Sequence, residues 1–386
     1  MAALRLRGQG LRLLLLASGC ARPPSGSPED ASRSIPTAST VAPSASTVTP
    51  TASGVAPTAS TVTPTASTVA PIPSTPAAEA STLAPDASTL DTSFLPPAPP
   101  VDLPASIRAA VAGAAAALAV DTVTHVEVDA FVLVDADHGS HFRAAVDLAR
   151  RAVAAYFNGR FDRRPDRAVT VFVFSSQDAY QRFCAGRSHG PCPTTFGQYD
   201  RVSREIVMHA TPGAETLTHE MVHPIVQQDF PRAPAWLDEG IASLYENPVF
   251  SCGRAFITGI TNWRYPDVKR ALDAPDEPAP TRLDALFGMD TAAFLTLDPA
   301  HPGAGPTDVA KENRHYALAR YFAQWMDRRH LLWPFYRAFR DGVASDPTGA
   351  KAFAAVAGRT PGQADADWEA YVRGLAPPAR ENPCPP

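Results

Sequence analysis

Residues 217–226 read LTHEMVHPIV, and residues 233–246 read APAWLDEGIASLYE. On an α-helix, residues four apart lie on one face, so His219 and His223 can offer two imidazole nitrogens to one ion. Glu220 sits one residue round from His219, where its carboxylate reaches a water on the ion without being a ligand. Glu239, on a second helix, supplies a third protein ligand and leaves the fourth tetrahedral position open. HExxH alone also fits a polar helix face with two surface histidines. The second segment tips the balance, because it sets a carboxylate beside Gly240, a residue that lets two helices approach closely. The expectation is one Zn²⁺ per chain, held by His219, His223 and Glu239, with Glu220 as general base of a hydrolase acting on peptide or protein substrates.

Composition removes several other classes. The chain has 386 residues and a net charge of −5 with no basic stripe, so nucleic acid is not an expected partner. No apolar run approaches the roughly 18 residues of a membrane span. Arg5, Arg7 and Arg12 precede the apolar stretch Leu13 to Leu16 and the small residues Ala17-Ser18-Gly19-Cys20. That layout is a targeting segment, and its ending resembles a bacterial lipobox. Residues 1–20 are therefore expected to be a lipoprotein-type signal peptide with Cys20 as the acylated residue, plain secretion being the alternative. The resemblance implies an outer-membrane or cell-surface lipoprotein that meets the membrane through its lipid anchor only.

Residues 21–102 carry a seven-residue repeat marked by Pro36, Pro43, Pro50, Pro57, Pro64 and Pro71. A proline in each repeat removes a helix hydrogen bond and excludes a coiled coil, and the repeats lack large apolar residues for a core. This segment is expected to be a disordered linker whose Ser/Thr density also permits O-glycosylation. Four cysteines remain, Cys184, Cys192, Cys252 and Cys384, which allow two disulfides in three connectivities. Cys184 and Cys192 bracket a short polar loop and are the favoured pair, leaving Cys252 with Cys384. A Cys/His metal site using His189 is the weaker alternative, since it lacks a second cysteine pair at zinc-ribbon spacing.

Folding is expected over 103–376, followed by a tail at 377–386. Helices are predicted at Ile107 to Val120, Phe142 to Phe157 and Gln177 to Phe183, and strands at Val126 to Val134 and Ala168 to Phe174. Phe196 to His209 reads as a hairpin with Tyr199 to Val202 at its turn. The two motif helices follow, and everything after Trp263 looks helical. Pro224 removes a donor to the carbonyl of Glu220, so a bend or early helix end is expected there.

HExxH followed by WLxEGxAxxxE resembles the gluzincin metallopeptidases, the group that includes thermolysin and the membrane-alanyl-type aminopeptidases. The likeness is closest to the peptidase MA-like proteins of bacterial envelopes, strong over Thr218 to Glu246 and weaker over Asn262 to Phe339. The fifteen residues between His223 and Glu239 are fewer than thermolysin uses, a difference that a shorter interhelix loop absorbs. The resemblance implies an α+β, zincin-like two-lobed fold: a mixed β-sheet lobe, then a helical lobe. It implies the same ligand and base assignments, and an oxyanion donor from the later helices. Tyr316 best matches that position, with His315 as the alternative and a core tyrosine as the bland reading.

Glu246 lies two turns after Glu239 on the same face and can accept the free N–H of His219 or His223. Asp238 is the runner-up, expected to point elsewhere on its helix. Arg264 is expected either to cap helix carbonyls or to meet a substrate carboxylate. The strand REIVMH, Arg204 to His209, is the candidate edge for an extended substrate. Two rival functions share this sequence: a catalytically inactive binding or scaffold lipoprotein on a zincin fold, and a metal-dependent hydrolase of a non-peptide amide.

Overall fold

The computed structural model describes residues 102–376 apart from 189–191, 193, 195, 212, 214, 251–254, 274–281 and 296–305. Cys20, the signal segment and the repeats lie outside the described residues, as do His189, Cys252, Cys384 and the tail. The fold is mixed α+β. No helix among the described residues is long and apolar enough to cross a membrane.

Helix α1 (Leu103–Leu118) starts at Asp102, whose carboxylate accepts the Ala105 N–H at 3.1 Å, and ends at Ala119 in the left-handed region. Strands β1 (His125–Val128) and β2 (Phe131–Asp135) follow as an antiparallel hairpin. One strand was expected over this stretch. Asp129, with φ of 57°, turns the chain between Val128 and Phe131, and Asp is one of the few residues that enters this region readily. Next come α2 (Phe142–Tyr156), β3 (Val169–Phe174), α3 (Gln177–Ser188), β4 (Gly197–Asp200) and β5 (Glu205–His209).

The five strands form one mixed sheet in the order β1-β2-β3-β5-β4, with β2, β3 and β5 parallel. Every residue of β3 is buried, which is why AVTVFVF is apolar without interruption: helices cover both faces of the parallel core. On one face Val132, Val134, Phe172, Phe174 and Val207 meet Ala114 of α1 and Tyr180 of α3. On the other, Phe131, Leu133, Val171, Val173, Ile206 and Met208 join the main core with α2. REIVMH is therefore not an edge. Strand β5 lies between β3 and β4, and β4 is the outer strand. Tyr199 belongs to β4, and the turn runs from Arg201 to Arg204, with Asp200 Oδ1 accepting the Val202 and Ser203 N–H groups. Cys184 and Cys192 form a disulfide with Cα atoms 5.1 Å apart, tying the end of α3 to the segment that leads into β4.

The HEMVH segment is split between α4 (Glu215–Glu220) and α5 (Val222–Asp229). The interruption falls at Met221, ahead of Pro224, because Pro224 has no N–H to give the Glu220 carbonyl. Met221 keeps right-handed helical angles, so the chain continues in nearly the same direction. Helix α6 (Ala235–Leu244) carries WLDEGIASL, and all ten of its residues are buried. The short pair β6 (Pro248–Phe250) and β7 (Ile257–Gly259) leads to α7 (Tyr265–Asp273), α8 (Leu283–Gly288) and α9 (Thr291–Phe294). Then come α10 (Pro306–Arg328), α11 (Leu332–Gly342), α12 (Ala350–Ala357) and α13 (Pro361–Arg373).

Helix α6 is the hub. Its Trp236 lies against Phe287 at 4.8 Å and Phe322 at 5.8 Å between ring centroids, deep in the helical part. Gly240 was expected to bring α6 close to the HEMVH helix, but it faces α10 instead. A Cβ there would lie 2.9 Å from the Ala319 carbonyl oxygen and 3.3 Å from its Cβ. Gly240→Ala should force the two helices apart and lower stability by about 1–3 kcal/mol. Thermal unfolding of the variant checks this; an unchanged melting temperature would mean that the contact yields freely.

Candidate metal centre

His219 lies in the last turn of α4, His223 in the first turn of α5, and Glu239 in mid-α6. Their ligating atoms all fall within 4.8 Å of one another, the one such group of His, Cys, Asp and Glu side chains among the described residues. His219 Nε2 is 3.4 Å from Glu239 Oε2, and His223 Nε2 is 3.9 Å from the same oxygen. The two imidazoles sit 5.0 Å apart at 75°, so both rings aim at one point from different directions. Glu220 Oε2 lies 4.0 Å from His223 Nε2, beside the group but outside it.

Two contacts hold α4 against its neighbours. The Tyr156 hydroxyl of α2 donates to the Thr218 carbonyl at 2.6 Å. The Thr218 hydroxyl lies 2.6 Å from the Tyr245 carbonyl at the end of α6 and equally close to that of Glu215. The residue before the first histidine thus pins α4 to the helix that carries the carboxylate.

Each histidine is oriented from behind. His219 Nδ1 lies 3.3 Å from Glu246 Oε1. Glu246 is gripped by Arg264 through Nε at 2.8 Å and Nη2 at 2.6 Å, and by Asn262 Nδ2 at 3.0 Å. His223 Nδ1 donates to Asp238 Oδ1 at 3.0 Å, and Arg201 Nη2 donates to the other oxygen at 2.6 Å. Both imidazoles therefore turn Nε2 inward. Asp238 does not point away, as its place on the helix suggested: it is the partner of His223, while Glu246 faces His219. Arg264, 2% exposed, lies against Trp263 and Tyr316 and holds Glu246.

A metal ion fits this set on grounds independent of the motif. Both ring nitrogens of His219, Glu239 Oε2 and Glu220 Oε2 are buried polar atoms that make no hydrogen bond. A buried group left so is costly, and a cation between the imidazoles and the carboxylate would satisfy His219 Nε2 and Glu239 Oε2 together. Two imidazole nitrogens and a carboxylate are donor types that zinc takes, among other divalent ions.

Protonation reflects the crowding. Burial opposes a charge on His219, but the carboxylates of Glu239 and Glu246 facing it, with Glu220 nearby, raise it to about 10. His223 is raised as well, burial being outweighed by Asp238 and Glu239. Burial pushes Glu220 up, the neighbouring carboxylates add to this, and the two histidines oppose it. Burial would also raise Glu246, yet Arg264 and His219 hold it well below the usual carboxylate range.

Tyr316 and His315 are both on α10 and both buried. The Tyr316 ring lies 4.8 Å from the Arg264 guanidinium and 5.4 Å from the Phe294 ring. His315 donates Nδ1–H to the Phe294 carbonyl at 2.8 Å, and burial lowers its basicity. Two residues near the centre escaped the reading from sequence. One is Arg201, the other Tyr199, whose ring stacks on His223 at 6.4 Å and 12°. No spacing rule links a hairpin turn to a helix some 40 residues later; only the folded pairing does.

No protein-family model matches the chain, and no curated protein matches it either. What the centre can do is carried by its own geometry.

At neutral pH the metal-free centre holds a proton on His219, and an ion at Nε2 must displace it. Because the folded value lies above the ordinary one, protons compete over the whole range up to about 10. Zinc affinity should therefore rise by at least roughly tenfold per pH unit between about pH 6 and 8. Chelator-competition titrations test this, and a flat profile would show that His219 is already neutral without metal.

Proposed function

We propose that the chain is a zinc-dependent peptidase of gluzincin type, built as a two-lobed zincin. The carrying observation is the convergence of the His219, His223 and Glu239 donor atoms, with Glu220 beside them and bonded to nothing at Oε2. The order of elements supports the reading: a sheet-bearing part, then α4 and α5, then helices through to α13.

His219 and His223 through Nε2 and Glu239 through a carboxylate oxygen would hold the ion. When bound, zinc would polarise a substrate carbonyl and acidify a water toward neutrality. The remaining work falls to the protein. Glu220 Oε2 takes the proton of the attacking water and returns it to the leaving nitrogen. Burial raises its basicity in the direction such a role requires. Asp238 fixes the tautomer of His223, and the Glu246 carboxylate stands 3.3 Å behind His219 Nδ1. Tyr316 is the proposed donor to the developing oxyanion of the substrate. Strand β4 has one side free of sheet partners among the described strands, and an extended peptide can add to it.

One feature favours the rival scaffold reading: the side chains of His219, His223, Glu220 and Glu239 are at most 6% exposed. Glu220→Gln separates the two. The purified chain should carry one zinc, and the variant should keep it while losing about 10²–10⁴-fold in peptide hydrolysis. Wild-type protein that binds no zinc would end the metal reading, and equal hydrolysis by the variant would remove Glu220 from the base role.

The placement proposed with this activity is the cell envelope, through acylation at Cys20. Cys20→Ala should abolish lipid labelling and move the protein out of the membrane fraction; labelling that persists would refute the anchor.

A further inference from the structure

The two braces behind the histidines are not equivalent. Glu246 is held by Arg264 and Asn262, which follow α6 in the chain, and Arg264 is 2% exposed. Asp238 is held by Arg201, which comes from the β4–β5 turn, far from α6 in sequence, and is 26% exposed. The turn is fastened to α5 beside the same histidine. Tyr199 donates its hydroxyl to Gln227 Oε1 at 2.7 Å, and Gln227 Nε2 donates to the Arg201 carbonyl at 3.4 Å. The Tyr199 ring runs nearly parallel to the His223 ring, 6.4 Å away between centroids. The hairpin thus reaches His223 through Arg201 and Asp238, with Tyr199 beside the same histidine.

The Asp238 carboxylate has two jobs that compete with its burial. Its side chain is 3% exposed, so each oxygen needs a partner, and Oδ1 accepts the His223 Nδ1–H at 3.0 Å. The 2.6 Å contact from Arg201 to Oδ2 supplies the missing positive charge and leaves Oδ1 free for the imidazole. We infer that Arg201 is a positioning residue of the metal centre: acting from the β4–β5 turn, it holds the Asp238 carboxylate in place, so that Asp238 holds His223 with Nε2 toward the ion. This rests on the zinc reading of the centre. It makes the strand proposed to take substrate and the ligand set parts of one assembly.

The test uses the full chain carrying Arg201→Gln, Arg201→Met or Arg201→Lys, with Arg204→Gln as a control from the same turn. Arg204 pairs with the Arg167 carbonyl and Asp166. Zinc affinity is read by competition with a chromophoric chelator, and the melting temperature of the metal-free protein is measured beside it. Gln and Met at position 201 should weaken zinc by about 10–100-fold, Lys should recover most of the loss, and the Arg204 control should bind as wild type does. Metal-free melting temperatures should differ far less than the affinities imply. Wild-type affinity in the Gln or Met protein, or a Lys protein no better than either, overturns the inference and leaves the zinc reading standing. A wild-type chain that binds no zinc fails at the earlier step, so the two failures are distinguishable.

Discussion

Two adjacent carboxylates, Asp238 and Glu239, are carried into the interior on a helix with no solvent face. Burying a carboxylate is unfavourable unless a partner compensates for it, and much of the surrounding structure supplies partners. Asp238 takes His223 and Arg201; Glu239 faces the Nε2 atoms of both histidines. The apolar side of the same helix is buried by Trp236 among Phe287 and Phe322, and the close approach of α10 depends on Gly240. Charge placement and core packing are thus set by one ten-residue element.

Around that helix the charges alternate outward. Arg264 and Arg201 neutralise Glu246 and Asp238, and those carboxylates in turn face imidazoles that point at a common centre. At the centre sit Glu239 and Glu220, whose Oε2 atoms make no hydrogen bond. A layered arrangement of this kind orients ligands without relying on the flexibility of long side chains, because each group is fixed by the one behind it. The sheet contributes through its edge: β4 and the turn after it deliver Tyr199 and Arg201 to the same histidine.

What could be read from the chain was local. The His219–His223 pair, Glu239, the buried strand β3 and Glu246 all follow from spacing on one or two elements. The departures came where tertiary contacts decide. The split of 126–134 into a hairpin depended on a single left-handed Asp129. The place of β5 inside the sheet depended on its parallel pairing with β3, which no hydrophobic alternation reveals. Asp238 was set aside because a helical wheel directs it away from Glu239, yet α5 passes close enough to bring His223 to it. Met221 shows a milder version: the loss of a donor at Pro224 was legible, but the interruption falls three residues earlier, just after the Glu220 carbonyl that loses it.

The complete burial of α6 has a consequence for how this chain can vary. A surface helix changes freely along its outer stripe; α6 has no such stripe. Position by position it offers an aromatic anchor at Trp236, a histidine brace at Asp238, a donor oxygen at Glu239 and an interhelix contact at Gly240. Substitution there disturbs the core, the electrostatics or both, whereas the exposed faces of α2 and α13 can drift with little penalty. Tolerance to mutation should therefore be lowest in the segment that made the chain readable.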